Sequence, residues 1–251
     1  MQTEHQPHDS NRTIEEEIRR LGIQKNPAES ALWKAKSFEP TVVWKDLSEA
    51  EALQGASRRV KTTIKIMQES HNMHFRNAAD ILIPLLNAQL LHLALSQAPS
   101  EKTQYSAAGI RPNIDGDSLY WTMKFPVDEV LRKPHSIELA LDITHVAGLL
   151  QRCMNIDVGQ TQKSPQERYT VLAQLTQDIH SLIEEESRAY AVQAQAYIVQ
   201  AGLLGFHHNG SEDAEMTAMF IKTGKDPLGK AWKEFIINQR LGSAIAARRL
   251  R

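Results

Sequence analysis

The sequence predicts an α+β fold in which helices dominate and one small sheet is added. Three observations carry that expectation. Apolar residues return at helical spacing over several segments, as at Leu85, Leu86, Leu90 and Leu93. One segment, residues 118–125, alternates at strand period, with Leu119, Trp121, Met123 and Phe125 on one side. A composition of 41% hydrophobic and 24% charged residues over 251 positions is enough for one sizeable core.

The elements follow in order. Residues 1–11 are polar and read as a disordered tail ahead of a single, mainly helical domain at 12–251. Residues 13–21 form a short helix: Thr13 can cap it, Glu15, Glu16 and Glu17 suit the positive end of its dipole, and Gly22 stops it. The stretch 23–40 is irregular. Ser48 opens a short acidic helix to Gly55, and residues 57–73 form another, with Val60, Ile64 and Met67 on one face. A helix at 84–96 takes Pro84 in its first turn, where a missing N–H costs nothing. Residues 98–118 hold Pro and Gly and read as loop. The strand at 118–125 is expected to pair within a sheet of two to four strands, with residues 41–44 and part of the loop before 118 as the other candidates. Pro134 then opens a helix to about residue 154. A polar linker at 155–166 leads to one long helix at 165–202. A loop at 202–211 carries His207 and His208, and helices at 212–223 and 227–249 complete the chain.

Charge and cysteine content exclude several classes. Lys and Arg total 29 against 30 for Asp and Glu, a balance that argues against nucleic acid or an anionic membrane surface as the main partner. The one cysteine, Cys153, forbids an internal disulfide and fits a reducing compartment, so a cytoplasmic protein is expected. The polar segment 1–12 has no apolar stretch of the kind a secretory signal needs. The most apolar run, 78–98, carries Asp80, Asn87, Gln89 and His92 and is interrupted by Pro84, so it reads as buried helix and not as a membrane span. There is no Gly-x-Ser-x-Gly turn for a serine nucleophile and no phosphate-cradling glycine loop.

The residues that could carry chemistry lie on two helices. His145 sits in a helix apolar on nearly all sides, with Glu138 at about 20° and Asp142 at about 60° around the axis. Glu186 lies on the apolar stripe of the next long helix, with Ile179, Ile183, Tyr190, Gln193 and Tyr197 within roughly 60°, whereas Glu184 and Glu185 point away. A carboxylate on a core-facing stripe needs a donor, a cation or a metal, because burying it bare costs several kcal/mol, on the order of 5. The first reading of His145 is a core histidine bonded to a nearby carboxylate or carbonyl, and of Glu186 one paired with Arg or His or set at the edge of the stripe. His71 and His74 read as a surface pair at a helix end. Asp142-x-x-His145 lacks the second copy a di-iron bundle requires.

The order of strand 118–125, helix 135–154 and a later helix bearing acids resembles a minimal zinc peptidase. The segment Leu139-Ala140-Leu141-Asp142-Ile143-Thr144-His145-Val146-Ala147-Gly148-Leu149 resembles the His-Glu-x-x-His helix of the gluzincin-like metallopeptidases, and Glu186-Ser187-Arg188-Ala189 resembles their third-ligand segment. The resemblance spans about 118–201 and implies a zincin-like core. It makes His145 the first zinc ligand and Glu186 the third. Val146 replaces the general base and Leu149 replaces the second histidine, so it implies a vestigial metal site and a pseudoenzyme. Two ligands cannot close a tetrahedral zinc site, so no cofactor is expected and any zinc would be held weakly. The reading is of a non-catalytic protein on a degenerate metallopeptidase-like scaffold that binds a protein or peptide partner. Two alternatives stand beside it. One is a metal-dependent hydrolase using His135, Glu138, Asp142, His145, His180 and Glu186. The other is an all-helical interaction module.

Overall fold

A computed structural model describes residues 13–35, 48–96, 109–133, 136–160, 162–175, 178–205 and 211–241. The tail 1–11, the candidate strand 41–44, His135, the loop histidines His207 and His208, and the chain beyond 241 lie outside the described residues.

Helices dominate, and each starts where local chemistry says it should. Helix α1 (Ile14–Arg20) opens on a reciprocal capping box, Thr13 with Glu16, and Gly22 turns the chain at φ +66°. The expected irregular stretch 23–40 contains a helix instead, α2 (Pro27–Ala35). Its signals are Pro27 in the first turn and Asn26, whose Oδ1 accepts the Ala28 N–H at 2.9 Å. The two short helices expected at 48–55 and 57–73 are one helix, α3 (Glu49–Glu69), capped by Ser48 and Glu51. Gly55 lies within it, and a Cβ there would stand 3.6 Å from Leu131 Cδ2.

No helix spans 84–96. Helix α4 (Met73–Asn87) begins earlier, capped by Asn72, and contains Pro84 in its last turns. Gln89 takes φ 58°, and the chain leaves as strand β1 (Leu91–Ser96). Leucine serves either state, and pairing with a neighbouring strand decides between them. Part of the loop before 118 joins the sheet, as expected, as β2 (Gly109–Asp115), which turns at Gly116 into β3 (Ser118–Pro126), the strand the alternation predicts. The strands lie in the order β1-β3-β2, with β3 parallel to β1 and antiparallel to β2. The chain is therefore not all-helical.

Helix α5 (Val127–Arg132) follows, and its last carbonyls are capped by Arg59, which donates to Leu131 O at 3.0 Å and Lys133 O at 3.2 Å. Helix α6 (Ser136–Val158) is buried on most sides. The single long helix expected at 165–202 is two, α7 (Pro165–Leu175) and α8 (Ile179–Leu204). Asp178 separates them by capping α8, accepting the Ser181 N–H at 2.7 Å. Helices α9 (Glu212–Lys222) and α10 (Lys230–Ile236) complete the described chain, α10 running into a π turn at Ile237–Leu241.

One apolar cluster joins α3, α4 and α6 to the inner face of the sheet through Trp121, Met123 and Phe125. A second joins α8 to α9 and α10 through Tyr190, Met216, Phe220 and Trp232. Helix α8 serves both, and its contact with α6 places the residues taken up next. Among the described residues, no helix is long and apolar enough to cross a membrane.

Candidate functional site

Helices α6 and α8 run antiparallel in close contact. Arg152 Nε donates to Glu185 Oε1 at 2.9 Å at one point. One turn back along α6, a Cβ at Gly148 would stand 3.7 Å from Ala189 Cα. Small residues at 147, 148 and 189 let the backbones approach, and one further turn back is His145.

The structure brings His145 and Glu186 together. His145 Nε2 lies 3.0 Å from Glu186 Oε2, with the two side chains 3% and 11% exposed. The contact is close but out of line, so among the described residues neither ring nitrogen of His145 nor Glu186 Oε2 has a hydrogen-bond partner. The imidazole packs on Tyr190, one helical turn past Glu186, with ring centroids 4.1 Å apart and planes at 47°. Buried polar atoms left without partners cost roughly 1–3 kcal/mol each. The fold therefore carries a polar cost here that an apolar pair would avoid.

The neighbouring positions are occupied as the sequence implies. Val146 is fully buried, and Leu149 is half-buried. Neither can ligate a cation or move a proton. Zinc in a structural site asks for four N, S or O donors, and a catalytic zinc for three plus a water. His145 and Glu186 supply two donors, and among the described residues no group of three or more His, Cys, Asp or Glu could hold a metal. The residues present do not fit zinc.

The other candidates are dispersed. Asp142 is committed to Lys133, Oδ2 to Nζ 2.6 Å. His180 is exposed on the first turn of α8. His71 turns to a buried carboxylate, Nδ1 3.2 Å from Glu29 Oε2, instead of joining His74. Burial pushes the Cys153 thiol up to about 11, which leaves it protonated and a poor nucleophile.

Two polar centres carry no sequence signal strong enough to single them out. The first is Glu29 on α2, wholly buried. It accepts from Trp33 Nε1 at 2.7 Å, Ser70 Oγ at 2.5 Å and His71 N at 2.7 Å. Burial works to raise its pKa, but these donors outweigh that and hold it below the usual carboxylate value. The second lies at the start of α6, where Asp142, Glu138 and Lys133 meet Asp213 from the first turn of α9. Burial first, and then the Asp142 charge, push Asp213 up to about 7. Gln193 reaches Asp213 from α8.

No protein-family model, no curated protein and no solved structure matches this chain.

Proposed function

We propose that this chain is a non-catalytic protein on a degenerate gluzincin-like scaffold, and that it acts by binding a protein or peptide partner. The observation that carries the reading is the meeting of His145 and Glu186 at 3.0 Å across an antiparallel helix pair. In the peptidases that the sequence resembles, a histidine and a glutamate from two such helices are the first and third zinc ligands. Here they stand together while the positions of the base and of the second histidine hold Val146 and Leu149. A buried carboxylate and imidazole with unfilled hydrogen bonding are hard to account for as packing alone, and they follow naturally from a metal site that has lost its other donors. With no acid at 146 to activate water and no thiolate at Cys153, the frame offers recognition and no route to hydrolysis. The same reading places the protein in the cytoplasm, in keeping with its free cysteine. The alternative of a hydrolase with unorthodox ligands is weakened by the commitment of Asp142 to Lys133 and the exposure of His180.

Elemental analysis of the purified protein, together with a proteolysis assay on an unfolded protein substrate, tests the reading. Expected are zinc well below one atom per chain and no cleavage. Near-stoichiometric zinc that disappears in His145→Ala and Glu186→Ala would overturn it, as would cleavage lost in the same variants.

A further inference from the structure

The sheet has two faces, and the helices take only one. Leu93 of β1, Trp121, Met123 and Phe125 of β3, and Ile110 of β2 belong to the first apolar cluster. No residue of the opposite face belongs to either cluster, so among the described residues no helix lays its apolar side there. Gly109 stands on that outer face, and a Cβ built on it would meet nothing within 4 Å.

Strand register sets the outer side chains in rows across the sheet. Lys124 lies between Ala94 and Gly109, Thr122 lies between His92 and Arg111, and Tyr120 lies beside Asn113. His92 and Arg111 are exposed, and Tyr120, Thr122, Lys124 and Asn113 are half-buried. His92 leans onto Tyr120, with ring centroids 4.7 Å apart and planes at 32°. Its Nε2 lies 3.0 Å from Gln89 O, which fixes the ring, and Asn113 Nδ2 donates to Thr122 Oγ1 at 2.8 Å. Among the described residues neither Arg111 nor Lys124 enters an ion pair. The acid of this face, Asp115, sits at the hairpin end, about 13 Å from Arg111 along β2.

We propose that this outer face binds single-stranded nucleic acid, with a base on the His92–Tyr120 pair and backbone phosphates on Arg111 and Lys124. Charge and ring chemistry together select that occupant. Two unpaired cations with no acid beside them ask for an anion. An aromatic pair lying on an open sheet offers a base its π face, and a guanidinium beside it adds a second stacking plane. An acidic peptide would use the cations and leave the rings idle, and a duplex keeps its base faces stacked away. From Tyr120 to Lys124 the surface runs roughly 13 Å, and sheet platforms of this kind stack about two or three bases. The even charge balance of the whole chain governs its distant field and not this contact, because exposed charges are screened beyond about 8–10 Å. No residue of the α6–α8 pair takes part, so the inference goes beyond the peptidase resemblance and does not depend on it.

Fluorescence anisotropy of labelled decauridylate and decathymidylate, titrated with the full chain, tests it. Expected is saturable binding at low salt, with log K falling against log salt at a slope of about −1.4, from two phosphates at about 0.7 each. Tyr120→Leu is expected to weaken binding about 5- to 150-fold, the loss of one stacked base. Arg111→Gln and Lys124→Gln are each expected to take about 0.7 off the slope. Arg111 is exposed, so its variant keeps the thermal midpoint and carries the test even if Tyr120→Leu disturbs the sheet. A preference for one oligonucleotide reports which sugar is read and supports the proposal equally. No saturable binding of either up to about 1 mM protein at low salt overturns it, since even non-specific binding lies below that. Binding that none of the three variants changes overturns it as well. So does binding of labelled polyglutamate that matches the oligonucleotides and ignores Tyr120→Leu, which marks the face as a site for an acidic protein.

Discussion

The side-chain amide of Gln193 donates to Asp213 Oδ1 at 2.9 Å, joining α8 to the first turn of α9. That bond favours the charged form of Asp213. It is outweighed by burial and by the Asp142 carboxylate, and the group titrates at about 7.

The consequence for stability has a definite sign. Between the ordinary aspartate value and about 7, the folded chain holds a proton on Asp213 that the unfolded chain has lost. Stability therefore falls as pH rises through that interval and levels off above it. Asp213→Asn removes this slope. Urea unfolding at several pH values between about 4.5 and 8.5 is expected to show the variant more stable than wild type at the alkaline end by roughly 4 kcal/mol, with the difference shrinking to about 1 kcal/mol at the acid end. A parallel pair of curves would rule out Asp213 as the titrating group.

Glu29 acts in the opposite direction. Its pKa is lowered, so its contribution is present above the ordinary glutamate value and is lost as pH falls below it. Glu29→Gln puts an amide N–H₂ among donors that require an acceptor: Trp33, Ser70 and the His71 N–H. The expected loss is about 2–4 kcal/mol at neutral pH, read from the urea midpoint, and the variant should lose less stability on acidification than wild type does.

Two glycine-to-alanine changes should shift stability in opposite directions. A Cβ on Gly202 would stand 2.6 Å from Ile23 Cγ2 and 3.0 Å from Ile18 Cγ2, so Gly202→Ala must push α1 and its following turn off α8. Overpacking of this kind costs roughly 1–3 kcal/mol, more than the helix propensity gained. Gly55→Ala meets only Leu131 Cδ2 at 3.6 Å, an ordinary contact, and is expected to stabilise α3 by about 0.5–1 kcal/mol. Thermal midpoints that move the same way for both would contradict this account.

Leu149→His is a gain-of-function test of the proposed ancestry. Position 149 is half-buried and lies one helical turn from His145 on the same face. A histidine there adds a third donor beside His145 and Glu186. Zinc is expected to bind the variant at about one equivalent by isothermal titration, and a second change, His145→Ala, should abolish it. A folded Leu149→His protein that ignores zinc would count against descent from a peptidase frame.

The sequence was informative where a local pattern and a tertiary need agree. Thr13 with Glu16 and Ser48 with Glu51 marked the starts of α1 and α3, and the alternation at 119, 121, 123 and 125 marked the central strand. The stripe geometry picked Glu186 from three consecutive glutamates, and that residue is the one facing His145. It failed where residues are ambivalent. Leu90 and Leu93 repeat at helical spacing, yet Leu93 lies in β1, paired to a strand far along the chain. Gly55 reads as a stop yet lies inside α3, where a Cβ would meet only an ordinary contact. The Asp213 and Asp142 carboxylates converge only in the folded chain, so spacing cannot reveal them, whereas Asn26 and Pro27 mark the start of α2 within the irregular stretch 23–40.

Early and late parts of the chain lock together. The Asn26 N–H donates to Leu203 O at 2.7 Å, Lys225 Nζ sits 2.7 Å from Glu17, and the methyls of Ile18 and Ile23 fill the space left by Gly202. During synthesis, α1 and α2 therefore leave the ribosome long before α8 exists to receive them. Their apolar faces must wait, exposed to chaperones or to non-native neighbours, until nearly the whole chain has emerged.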